Sequence, residues 1–142
     1  MMAEDTEKNL EPSPDEQPVI RVVTMPANTN PAGDIFGGWL MSQMDLAAGT
    51  IAEQTSKGRS ATIAVDKMVF HKPVKVGDEV SLYASLLTTG RTSMTIHVQA
   101  WRRLRSKLER TKVTEANFTF VALHSDGTPR LLQSEPGWEA NE

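Results

Sequence analysis

One helix-period segment followed by several long strand-period segments constrains this chain more than any other feature. From Gly37 to about Thr55, the residues Leu40, Met44, Ala47, Ala48 and Ile51 recur at helical spacing and predict a buried stripe on one long helix. Downstream, Glu79–Thr89 carries Val80, Leu82, Ala84 and Leu86 on one side. Next, Met94, Ile96, Val98 and Ala100 alternate with Thr95, His97, Gln99 and Trp101, and in a last strand from about Lys112 to Leu123 the residues Ala116, Phe118, Phe120 and Ala122 share a face. The mostly apolar Thr62–Phe70 predicts a strand buried on both faces. The β-branched Pro18–Met25, ended by Pro26, predicts a short first strand. A helix of about 18 residues runs roughly 27 Å, and strands of about 10 residues run roughly 33 Å. One helix can therefore lie along the inside of a curled antiparallel sheet and be wrapped by it. The expected class is α+β with a single central helix.

Turn chemistry separates these segments. Lys57-Gly58 is expected to stop the helix, with a cation near its C-terminal dipole and a glycine beyond it. Pro73–Asp78 is read as a connection with Val-Gly-Asp as its turn, Gly90-Arg91 as a hairpin turn, Arg102–Arg110 as a solvated basic loop, and Ser125-Asp126-Gly127 as a turn. The 142 residues suit one domain. Residues 1–18 are acidic, proline-bearing and nearly free of large apolar side chains, so they are expected to form a disordered tail. Residues 19–124 are the expected folded domain, and 125–142 the expected mobile C-terminal extension.

Composition narrows the chemistry. A net charge of −3 opposes a nucleic-acid partner, which needs a basic face. No cysteine is present, which excludes disulfides, thiolate metal sites and a cysteine nucleophile. His71, His97 and His124 lack paired ligand spacing, so no metal site and no cofactor are expected. The start lacks the basic and apolar regions of a signal peptide, and no apolar run approaches the roughly 20 residues that span a bilayer. The expectation is a cytoplasmic protein with no membrane partner.

The candidate site is a single stretch. The loop Ala27–Asp34, with Asn28, Asn30, Pro31 and Gly33 as turn formers, leads to Gly37 and Gly38 and then to a helix carrying Asp45. Bare amides at a helix start can hold a developing negative charge. Gly37 and Gly38 are thus candidate carbonyl polarisers, although a close helix–sheet contact would require glycine as well. Asp45 has Met41, Ser42, Ala48 and Gly49 three and four positions away, a small and apolar set with no cation. An aspartate is a poor former in mid-helix, and one placed among such neighbours reads as a general base that activates a water, with direct attack to form an anhydride as the alternative. Asp34 is either the helix N-cap or a residue lining the site. No Gly-x-Ser-x-Gly elbow is present.

The run Asn30-Pro-Ala-Gly-Asp-Ile-Phe-Gly-Gly-Trp-Leu-Met-Ser-Gln-Met-Asp45 resembles the helix start of the hotdog-fold acyl-CoA thioesterases, in particular their YciA-like branch. Val65-Asp66, Phe70-His-Lys-Pro-Val-Lys-Val-Gly-Asp78, Gly90-Arg-Thr-Ser93 and Phe118-Thr-Phe-Val-Ala122 extend the likeness over roughly Val19 to Leu123. The resemblance implies a hotdog dimer with two sheets joined edge to edge, active sites between subunits, and assembly as a trimer of dimers. It implies hydrolysis of acyl-CoA to free acid and coenzyme A, with Asp45 as the catalytic carboxylate and Gly37 and Gly38 as amide donors. Coenzyme A carries phosphates, so Arg91 with Thr92 and Ser93 are candidate contacts, and Lys72 and Arg59 are further ones. Two alternatives stay open: a non-catalytic acyl-CoA-binding module, and a hotdog hydratase or dehydratase, which wants a histidine near the helix start.

Overall fold

The structure is a computed structural model that describes residues 11–132. Five strands, β1 (Ile20–Val23), β2 (Ser60–Asp66), β3 (Glu79–Thr89), β4 (Ser93–Arg103) and β5 (Arg110–Ala122), form one antiparallel sheet in the order β1-β3-β4-β5-β2. One helix, α1 (Gly37–Ser56), connects the two edge strands and packs against β2, β3, β4 and β5. This is the single-helix hotdog arrangement expected above. The helical stripe does what its spacing predicts. Leu40, Met44, Ala47 and Ala48 are buried, Ile51 is half-buried, and Ala52 and Ser56 continue the face to the last turn. They meet Val80 and Leu82 of β3, Met94, Ile96 and Val98 of β4, and Phe118 and Phe120 of β5 in one apolar core.

Three local expectations are corrected. The helix runs through Ser56, and its left-handed stop falls on Lys57 rather than on Gly58: Lys57 takes φ 59° and donates its amide to the Glu53 carbonyl at 2.8 Å. Gly58 is not in the positive-φ region. The strand expected over Thr62–Phe70 covers Ser60–Asp66 and is not buried on both faces. It ends where Lys67 turns left-handed (φ 52°), and it is an edge strand that leaves Ile63 61% exposed and Val65 39% exposed. The chain then rejoins the start of β5, where the Thr114 hydroxyl donates to the Val69 carbonyl at 2.6 Å and the His71 amide donates to the Val113 carbonyl at 2.8 Å. The basic segment is not simply solvated. Arg103 belongs to β4, pairs with Glu79 at 3.1 Å and holds the Lys107 carbonyl at 2.5 Å.

The ends of the expected domain are attached to it. Pro12 is buried, and its carbonyl accepts from Arg110, whose guanidinium lies over the rings of Tyr83 and Trp101. Residues 128–132 return to β5, and Arg130 is wholly buried there. The remainder of the expected tail and extension, residues 1–10 and 133–142, lies outside the described residues. Among the described residues no helix is long and apolar enough to cross a membrane.

Because Met44 is fully buried in the middle of the helix stripe, Met44→Ala is expected to lower unfolding free energy by about 2–5 kcal/mol in denaturant titration. A loss well under 1 kcal/mol would show that α1 does not pack on the sheet through this face.

Candidate active site

The loop before α1 is built by its own polar side chains. The Asn30 carboxamide oxygen accepts the amides of Ala32 at 3.0 Å and Asp34 at 3.1 Å, and Gly33 takes a positive φ of 91°. The Ile35 amide donates to the Val74 carbonyl at 2.9 Å and the Phe36 amide to the Asn28 carbonyl at 3.1 Å, which fixes the chain's direction into the helix. Phe36, not Asp34, occupies the N-cap position, and its side chain makes no capping bond. Asp34 instead pairs with Lys75, through both a backbone bridge and an ion pair to the lysine Nζ.

The amides of Gly37 and Gly38 are the first two of the helix and have no hydrogen-bond partner among the described residues. A cavity of about 230 Å³ opens at this end, lined by Asp34, Gly37, Leu40, Phe70, Lys72 and Val113 among others. The two glycines differ. A Cβ on Gly37 would stand 3.2 Å from the Phe70 ring, whereas one on Gly38 would stand 3.6 Å from the Phe36 ring, an ordinary contact. Phe70 comes over Gly37 because β2 ends at Asp66 and the chain swings away before returning to β5.

Asp45 lies eight residues further along the same helix and is half-buried. Its Oδ1 accepts the Thr62 hydroxyl at 2.5 Å, so the carboxylate is oriented by β2. The β2–β5 register slips between Thr62 and Ala64, which makes Ile63 the extra residue of a bulge beside this contact. Bulges re-aim neighbouring side chains. No cation pairs with Asp45 among the described residues. Thr62 is the partner that sequence reading missed. Its hydroxyl is one of many in the strands, and only the β2 register places it under the helix.

The expected coenzyme A contacts are split between the two ends of α1. Lys72 belongs with Gly37 and Asp34. Arg91 sits in the turn closed by the Gly90 amide on the Ser93 carbonyl at 2.8 Å, beside Thr92 and Ser93. Arg91, Thr55 and Leu132 line a second cavity of about 370 Å³ at the helix C-terminus. Arg59 is near this end too, and its guanidinium donates to the Ser125 carbonyl at 2.8 Å. The histidines stand apart from Asp45. On the sheet face that alternates with the core side chains, His97 lies 2.8 Å from Asn117 Oδ1 and 3.0 Å from Glu115 Oε1. Burial disfavours charge on Glu115, but Lys112 and His97 outweigh it and hold the carboxyl below the ordinary glutamate range. His71 does not line the cavity at Gly37.

Residues 32–107 match the family described as the thioesterase superfamily. An uncharacterized acyl-CoA thioester hydrolase of Zymomonas mobilis is 52% identical over 122 residues, covering 85% of this chain and 82% of its own length. The chain belongs to the thioesterase superfamily. Within that superfamily it is also similar to the acyl-CoA thioester hydrolase YciA of Escherichia coli, 45% identical over 120 residues that cover 82% of this chain and 91% of the other. Among solved structures, the hexameric thioesterase of Yersinia pestis is similar with a TM-score of 0.79 and 46% identity, covering 87% of this chain and 100% of that one.

The packing difference between the glycines gives a direct test in this thioesterase fold. Gly37→Ala is expected to push the Phe70 ring by a few tenths of an ångström and to cost more thioester turnover than Gly38→Ala, which stays within about threefold of wild type since its Cβ meets only ordinary contacts. Steady-state rates of the two variants decide it, and equal losses would remove the distinction.

Proposed function

We propose that this protein hydrolyses acyl-CoA thioesters to a free acid and coenzyme A, at a site assembled from two copies of the chain. One observation carries the proposal: the open amides at Gly37 and Gly38 and the oriented carboxylate of Asp45 stand on one helix, and eight residues of α-helix separate them by about 12 Å along the axis. A base acting through one water and a donor on the carbonyl oxygen must both lie within hydrogen-bond reach of one thioester group. Within a single chain they are too far apart. Two antiparallel copies joined along the β2 edge, whose Ile63 and Val65 are exposed, would bring the helix start of one beside Asp45 of the other.

In this reading the Gly37 amide of one copy polarises the thioester carbonyl, and Gly37 is preferred to Gly38 because it lines the cavity at the helix start. Asp45 of the other copy takes a proton from a water, whose oxygen attacks the carbonyl carbon. The tetrahedral oxyanion is held by the amide at the positive end of the helix dipole. Collapse breaks the carbon–sulfur bond, and the proton held by Asp45 passes to the departing sulfur, which releases the coenzyme A thiol and restores the carboxylate. Thr62 holds the Asp45 carboxylate in line by donating to one oxygen, which leaves the other for the water. Asp34, tied to Lys75, shapes the cavity wall. Arg91 with Thr92 and Ser93 takes coenzyme A phosphate; Lys72 and Arg59 lend positive charge at the two ends of the helix. A trimer of dimers and a cytoplasmic setting belong to the same proposal. The first is supported by the hexameric state given for the similar thioesterase. The hydratase alternative has no support from the histidines, since His97 lies on the sheet face away from the helix and His71 does not line the cavity.

In a thiol-release assay over a panel of acyl-CoA esters, Asp45→Asn is expected to lose at least about 100-fold in kcat with its fold intact. Undiminished turnover would sink the base role, and tight binding without release by wild type would make the protein a binding module. The shared site is tested by mixing. Asp45→Asn and Gly37→Val subunits, each inactive alone, should recover roughly a quarter of wild-type activity after co-refolding, because one site of each mixed dimer is intact. No recovery in verified mixed dimers would mean that one chain supplies both groups.

A further inference from the structure

The residue that sequence reading left in the C-terminal extension, Arg130, is the largest wholly buried side chain described. A buried guanidinium is costly unless its N–H groups are satisfied. Here Nε donates to the Leu123 carbonyl at 3.1 Å, Nη1 to the Ser56 carbonyl at 3.1 Å and Nη2 to the Arg59 carbonyl at 3.4 Å. Ser56 is the last residue of α1, so a positive charge sits on an orphan carbonyl at the negative end of the helix dipole. The Arg130 backbone is fixed as well, through its amide on the Ala122 carbonyl at 2.8 Å.

These bonds converge on the two arginines at this end of the molecule. The Arg59 carbonyl is held by Arg130 and also accepts the Leu123 amide at 2.8 Å. Two residues beyond Arg130, the Leu132 amide donates to the Arg91 carbonyl at 3.0 Å, and the Ala122 amide donates to the Thr92 carbonyl at 2.8 Å. Leu131, Leu132, Arg91 and Thr55 enclose the 370 Å³ cavity. Cutting the guanidinium away would remove one tie from the helix end and one from the Arg59 backbone, and would leave the strap that braces the Arg91 turn held by its backbone amides alone.

We propose that Arg130 is a positioning residue for the phosphate-bearing part of the substrate: it acts through the backbone of Arg59 and Arg91 and touches no reacting atom. The inference rests on the reading above in which Arg91 binds coenzyme A phosphate. It separates binding of the nucleotide end from chemistry at Asp45, which lies about 15 Å back along the helix from Thr55.

The test compares KM for an acyl-CoA ester with KM for the same acyl group on pantetheine, in the full-length enzyme. Arg130→Met and the milder Arg130→Lys should raise KM for the CoA ester by at least about fivefold while KM for the pantetheine ester and kcat for both stay near wild type. Arg91→Ala is the control and should move the same ratio. A purely structural Arg130 would lower Tm in both variants with the ratio unmoved, and that result overturns the proposal. An unmoved ratio in Arg91→Ala overturns it too, by removing the phosphate site on which it rests. If Arg130→Met does not fold, Arg130→Lys decides alone, since it keeps the charge but cannot reach three carbonyls. Failure of the hydrolase reading itself is distinct, because wild type would then release no thiol from either ester.

Discussion

The proposed chemistry depends on α1 being a rigid rod of fixed pitch. Leu40, Met44, Ala47, Ala48 and Ala52 are buried against the sheet, so the helix can neither rotate nor slide without opening the core. Its rise therefore sets the distance between the amides at Gly37 and the carboxylate of Asp45, and about 12 Å is too long for one thioester carbonyl to feel both. Flexing the loop before the helix cannot shorten it, because both groups stand on the helix. In the proposed mechanism, the same burial that stabilises the fold makes the single chain half a site. The proposed second half would come along β2, which ends the sheet among the described residues and carries exposed apolar side chains and the Thr62 hydroxyl that orients Asp45.

Asp34, before the helix, and Asp45, in its third turn, have opposite surroundings, and in the proposed mechanism they do different work. Asp34 is locked to Lys75 twice, by backbone and by side chain. With its backbone and side chain both committed to Lys75, Asp34 is placed to hold the cavity wall. Asp45 faces one neutral hydroxyl donor and no cation among the described residues. It is oriented without being neutralised, which is what proton transfer from water requires. The bulge at Ile63 fits this picture, since an extra residue in β2 sets which side chain of the strand points at the helix.

Periodicity made most of the fold legible. The helix stripe, the boundaries of β3 and the shared face of Ala116, Phe118, Phe120 and Ala122 follow from spacing alone, because each buries one face on a common core. Local chemistry was less reliable. Lys57 rather than glycine took the left-handed position at the helix end, and Lys67 broke a strand that its apolar composition extended to Phe70. Apolar residues on β2 read as core because a sequence does not say which strand is an edge; exposure of Ile63 marks a face that this chain by itself does not cover. Asp45 and the two glycines stood out because their residue types are unfavourable in a helix. Thr62 and Arg130 did not, since their roles are set by contacts across 17 and 74 residues of chain.

The ends of α1 show how one element can serve two parts of a long substrate. The N-terminus offers unpaired amides with partial positive charge, suited to an oxyanion. The C-terminus has the opposite field, which would repel phosphate if left bare. There the orphan carbonyl of Ser56 is met by the Arg130 guanidinium, and Arg59 and Arg91 are fixed in the same network. A buried guanidinium on that carbonyl offsets the negative end of the dipole, and in the proposed reading it also holds the backbone on which Arg59 and Arg91 present their side chains. In that reading the direction of the helix gives Arg130 its work: with the thioester carbonyl at the positive end of the dipole, the phosphate falls at the negative end, where the bare Ser56 carbonyl would oppose it.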